Sequence, residues 1–317
     1  MREIPEALLE GPFSHEQARA LGVTARMLQG RRFVRIFPRV HCLRDAELSL
    51  EQWVRAAVMT LPADARVTGV TRLQLAGLPH GPLRPLHFVV ARDHHVTPSG
   101  IFLHRTEAMP PCDGVGVTVA AAFVELCRWA RTIDAISTGD WLLRNRLMAV
   151  QEVRELCLAQ LWRAGSDEAL WVLPYLVATS RSRPESELRA MMEFAELARP
   201  EPNPLLQLSD EDVVMGDLVL NEPRVVIEYE GTHHQTDRRQ YCSDIDRYAL
   251  LRRHQLPYIQ VTKERAARPQ RMITWLHEQL LELGYRGPSP RFDRRWPLLF
   301  LPLAVAVGER SYGQRRR

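Results

Sequence analysis

The sequence predicts a mixed α/β (α+β) fold. Two observations carry that expectation. Amphipathic stretches of helical spacing alternate with short runs rich in Val, Ile, Phe and Tyr. The C-terminal half also reads in the order α-β-β-β-α-β, which builds one sheet flanked by helices. A chain of 317 residues with 45% hydrophobic content has length for two or three domains.

Residues 1–48 read as two short helices and a hairpin. In "SHEQARALGVTARMLQGR", Ser14 is an N-cap with Gln17 three residues on, a capping box, and Thr24 is a second cap after a turn at Gly22. "RFVRIFPRVHCL" then alternates apolar residues with arginines, as strands do. Helix-turn-helix followed by a hairpin is the order of a winged helix. Arg26, Arg31, Arg32, Arg35 and Arg39 would supply its phosphate contacts to DNA. The alternative is a small packing module whose arginines are only solvated.

Residues 49–165 read as a middle α/β domain. It has helices at "SLEQWVRAAVMTL", "TRLQLAGLP", "VTVAAAFVELCRWA" and "TGDWLLRNRL", and strands at "LHFVVAR" and "GIFLHRTE". No catalytic constellation shows there. Residues 166–285 hold the α-β-β-β-α-β block. "PESELRAMMEFAELA" opens it as a helix, with Pro184, Glu185 and Glu187 in the first turn. "NPLLQLS", "DVVMGDLVL" and "PRVVIEYEG" follow as strands, then the helix "RRQYCSDIDRYALLRRH", the strand "LPYIQVT" and a closing helix. Residues 286–317 read as a Pro/Arg-rich tail.

The net charge of +4 is mildly basic and permits a nucleic-acid partner. Lys263 is the one lysine among 42 basic residues, so cationic roles fall to arginine. The five cysteines show no metal-binding spacing. The longest apolar run is too short to span a bilayer and is broken by prolines, so no membrane partner and a cytoplasmic location are expected.

Three acids stand where a core should be. Asp217 interrupts the run Val213–Leu220, and Glu228 and Glu230 end the run Val225–Glu230. Period two puts Val226, Glu228 and Glu230 on one face of that strand, and Val225, Ile227 and Tyr229 on the other. A hairpin pivoting on "NEP" brings Asp217 close to Glu228. Like charges so placed need compensation, either by a hard cation such as Mg²⁺ or by arginines and solvent.

The set Glu187, Asp217, Glu228-Tyr229-Glu230-Gly231, His233-His234 and Asp244-Ile245-Asp246-Arg247 resembles the PD-(D/E)XK nuclease superfamily, in the branch related to very-short-patch repair endonucleases. The N-terminal half is more faintly similar to antitoxin-like proteins of abortive-infection systems (the AbiEi type). The nuclease resemblance implies a restriction-endonuclease-like core and a DNA endonuclease using Mg²⁺ or Mn²⁺. Asp217 and Glu228, with the Tyr229 carbonyl, would hold the metal, and Glu187 would approach it through water. His233 or His234 would move protons, and Arg247 would neutralise the phosphate or pair with Asp244. The family's usual lysine position is Glu230 here. That departure keeps a second expectation open, a DNA-binding regulator whose nuclease fold is inactive.

Overall fold

The computed structural model describes the backbone of residues 4–94, 98–230 and 238–314, and their side chains except at 238–245 and 309–314. The protein is mixed α and β, 42% helical and 18% strand, with several small sheets. It folds as two compact units, Met1–Leu126 and Cys127–Arg317.

The first unit begins with β1 (Phe13–Ser14), α1 (His15–Ala20), α2 (Ala25–Leu28), β2 (Phe33–Phe37) and β3 (Val40–Leu43). The Ser14–Gln17 capping box forms in both directions, and Thr24 caps α2 through the Met27 N–H. The strands pair antiparallel in the order β1-β3-β2, over a core of Leu8, Phe13, Ala18, Val23, Leu28 and Phe33. Arg39 closes the β2–β3 hairpin with φ of 61°, a left-handed position that glycine or asparagine usually takes.

The rest of that unit comprises α3 (Leu50–Val58), β4 (Arg66–Val67), α4 (Gly69–Leu75), β5 (Leu86–Val90), β6 (Ile101–Arg105) and α5 (Val119–Cys127). The sheet order is β4-β5-β6, with β5 and β6 parallel. Leu86, Phe88, Val90 and Ile101 bury one face in a cluster that includes Ala56 and Ala57 of α3. The other face carries polar groups. His87 Nδ1 lies 2.9 Å from His104 Nε2, and His104 Nδ1 lies 2.7 Å from Glu125 Oε1.

The second unit opens with α6 (Thr132–Arg144), α7 (Val150–Ala159), α8 (Ser166–Val172) and α9 (Arg183–Phe194). α6 packs on α9. Between them Arg189 Nη2 meets Asp140 Oδ2 at 2.8 Å, both side chains 1% exposed. The Val177 N–H also donates to Asp140. Residues 127–165 therefore share a compact unit with residues 166–285 rather than with the segment before them.

Next come β7 (Glu201–Pro202), β8 (Leu205–Gln207), β9 (Val213–Met215), β10 (Leu218–Asn221) and β11 (Arg224–Glu230). Then follow α10 (Arg238–Arg253), β12 (Tyr258–Thr262), α11 (Lys263–Ala266) and α12 (Pro269–Glu282). The main sheet runs β12-β11-β10-β7, with β10–β11 antiparallel and β11–β12 parallel, while β8 and β9 form a separate hairpin. "DVVMGDLVL" is thus two strands, not one. The break falls at Gly216, where an added Cβ would stand 2.7 Å from Val226 Cγ1. Val219, Val226, Leu251 and Leu256 bury one face of the sheet beside Tyr248, and their neighbours Leu218, Leu220, Val225 and Ile227 are buried too. Coverage of both faces suits the nearly continuous apolar run of β11. Residues 286–314 do not run as an independent tail. They form α13 (Trp296–Phe300) and α14 (Leu303–Gln314), with Trp296, Leu299, Leu303 and Ala306 buried.

Candidate functional site

The β10–β11 register decides where the acids fall. Leu218 pairs with Ile227, so one step further along the hairpin Asp217 stands opposite Glu228, and both point to the α10 face. Glu228 is 1% exposed, and the Asp217 side chain keeps 22% of its surface. The Tyr229 N–H donates to Asp217 Oδ2 at 3.0 Å, and the Asp217 N–H lies 3.5 Å from Glu228 Oε1. The Tyr229 group placed on Asp217 is therefore its N–H.

Arg247 supplies the compensating charge. Its Nη2 lies 2.7 Å from Glu228 Oε2 and its Nη1 lies 3.8 Å from Asp217 Oδ1. Helix packing positions it, because Tyr248 and Leu251 join Val226 in the core and Tyr248 stacks on Tyr258 with ring centroids 5.0 Å apart. Two carboxylates and one guanidinium leave these three side chains with a net charge of about −1 at neutral pH. Among the described residues no group of three or more His, Cys, Asp and Glu side chains is placed to hold a metal ion. Two hard carboxylates on adjacent strands would suit a divalent cation such as Mg²⁺ only with water or phosphate oxygens completing its shell and Arg247 displaced. Asp217 and Glu228 are the side chains that would hold it.

Glu187 is not brought to this pair. It bonds Arg183, which also contacts Asp134 Oδ1 at 3.0 Å. Among the described residues no contact joins Glu187 to Asp217, Glu228 or Arg247. It sits instead within electrostatic reach of Tyr229, whose ring leaves β11 on the face opposite Glu228. Burial raises the Tyr229 hydroxyl pKa, and the charges of Glu187 and Glu264 add to that.

The acid of α9 that does connect to the site is Glu185, 7% exposed. Its Oε2 accepts from the Arg181 N–H at 2.9 Å and from Asn203 Nδ2 at 2.6 Å. The Asn203 N–H in turn donates to the Asp217 carbonyl at 2.9 Å. Asn203 takes a left-handed φ of 55°, which its short amide side chain tolerates. From sequence, Glu185 has only a helix-dipole role in the first turn of this helix. The Ser182 hydroxyl does accept from the Glu185 N–H, yet the Glu185 carboxylate turns to Asn203.

Glu230 is exposed at the end of β11, where it accepts from Gln260 Nε2 at 3.3 Å. His233 and His234 lie outside the described residues. In the first unit Arg26, Arg31, Arg35 and Arg39 are exposed and Arg32 is half-buried. Arg39 pairs with Glu16 at 2.9 Å, but both side chains are at least 70% exposed, so the pair holds the arginine weakly. Four cysteines, Cys42, Cys112, Cys127 and Cys157, are free thiols. No helix among the described residues is long and apolar enough to cross a membrane. In comparison with known proteins, the chain matches no family model and no curated protein sequence.

Proposed function

We propose that the second unit is a metal-dependent endonuclease domain of restriction-endonuclease-like type, acting on DNA phosphodiesters. The observation that carries this reading is the convergence of Asp217 and Glu228 on Arg247 at the β10–β11 hairpin. The order of α9, β7, β10, β11, α10 and a parallel β12 supports it as well. Bound Mg²⁺ or Mn²⁺ would polarise the phosphate and acidify a water. The chain's own residues do the rest. Asp217 is fixed by the Tyr229 N–H and, through its carbonyl, by the Asn203–Glu185 link. Glu228 sits in a buried position that strengthens its hold on any cation. Proton transfer is assigned to His233 or His234. The first unit is proposed to bind duplex DNA as a winged-helix-like module, its exposed arginines contacting phosphates.

A second reading is an antitoxin-like, DNA-binding regulator with an inactive nuclease fold. Glu230 at the usual lysine position favours it, as does the arginine already paired with the buried acid. Incubating the full chain with labelled DNA in Mg²⁺, Mn²⁺ or EDTA separates the two. The nuclease reading expects metal-dependent cleavage that Asp217→Asn abolishes. DNA binding without cleavage under any metal supports the regulator. Arg31→Ala and Arg35→Ala should weaken binding evenly across sequences, each lowering the slope of log affinity against log salt by about 1.

A further inference from the structure

We infer that Arg247 is the resident counter-ion of the acid pair and that a divalent cation binds only by exchanging with it. This rests on the metal-site reading above. Glu228 is 1% exposed, so its charge must be balanced at all times. The guanidinium does this at 2.7 Å, and it reaches toward Asp217 at 3.8 Å. A metal ion held by the same two carboxylates would neutralise both. With Arg247 still in place the site would carry +3 against −2, with the two cations crowded on shared oxygens.

The geometry allows departure. Arg247 keeps 23% of its side-chain surface exposed, and its guanidinium lies 5.3 Å from the Tyr248 ring, a face it can use while turning outward. A released guanidinium presents a planar fork suited to a phosphodiester. Metal and phosphate therefore bind cooperatively: phosphate draws Arg247 off the carboxylates, and metal keeps it off. Without either, the site is self-paired and closed.

The test uses the full chain with Mn²⁺ alone, without DNA, at fixed ionic strength. Affinity is read by calorimetry and by the metal-induced rise in melting temperature. Arg247→Gln should bind Mn²⁺ about tenfold tighter or more than wild type and show a larger rise. Arg247→Lys keeps a charge on a shorter stem that cannot span both carboxylates, so it should fold and fall between the two. If Arg247→Gln fails to fold, Arg247→Lys decides alone. Unchanged or weaker Mn²⁺ binding in the arginine variants, with wild-type binding lost in Asp217→Asn, overturns the exchange and leaves the metal site standing. Mn²⁺ binding to none of these proteins overturns both.

Discussion

Neutralising one acid of the site should cost far more than neutralising the other. Glu228→Gln keeps the side chain's volume but removes the charge that the Arg247 guanidinium meets at 2.7 Å. Breaking a buried ion pair costs about 3–5 kcal/mol. Arg247 is 23% exposed and retains Asp217 at 3.8 Å, which lowers the expectation to about 2–3 kcal/mol. For a unit of this size that is a fall of about 4–12 °C in melting temperature. Asp217→Asn differs in each respect. Its side chain is 22% exposed, its contact with Arg247 is long, and the amide oxygen still accepts from the Tyr229 N–H. The expected cost is below about 1 kcal/mol. Tryptophan fluorescence is a suitable probe, because Trp129, Trp141, Trp162, Trp171, Trp275 and Trp296 all lie in the second unit and only Trp53 lies in the first. Melts in EDTA remove any contribution from metal. Equal losses in the two variants, or a Glu228→Gln transition within about 1 °C of wild type, would refute the assignment of Arg247 as the buried partner of Glu228.

Two further predictions concern the scaffold. A fragment of residues 166–317 lacks Asp140 and leaves Arg189 with its buried partner gone, a loss of about 3–5 kcal/mol; it should fail to fold where 127–317 folds, and a cooperative melt of the shorter fragment would count against this. In the first unit, burial foremost, then the neighbouring His104, lowers His87 to about 4, with Glu125 opposing. The folded pKa lies below the unfolded value of 6.5, so the stability is present above pH 6.5 and is lost as pH falls toward about 4. The loss between pH 7 and 5 should be about 1–2 kcal/mol, and His87→Asn should flatten it; identical pH profiles for variant and wild type would sink the attribution.

Local chemistry made part of the structure legible in advance. Ser14 with Gln17 and Thr24 at a turn specify their helix starts within a few residues, so composition alone identifies them. The hairpin at "NEP" sets the β10–β11 register, and with it the meeting of Asp217 and Glu228, because only two residues, Glu222 and Pro223, separate the strands. Features that depend on distant parts of the chain were not readable in this way. Asn203 and Glu185 are 18 apart, and Asp140 and Arg189 are 49 apart. The break at Gly216 depends on the Val226 side chain across the hairpin. Proline and arginine content marked residues 286–317 as a tail, yet buried Trp296, Leu299 and Leu303 make α13 and α14 part of the second unit.

Two arginines paired with buried acids in the second unit differ in exposure, and under the exchange proposed above that difference, rather than the pairing, separates a scaffold contact from a functional one. Arg189 is fully buried and meets Asp140 at 2.8 Å between two packed helices. It has no route to solvent without parting α6 from α9, so its charge can only be structural. Arg247 makes a contact of similar length to an equally buried carboxylate, but its own side chain reaches the surface. It can therefore leave without unpacking α10, which Tyr248 and Leu251 hold to the sheet independently. Leaving strands Glu228 unless another cation takes its place. That condition couples the movement of one side chain to ligand binding, because the buried acid tolerates exchange of its partner but not loss of it.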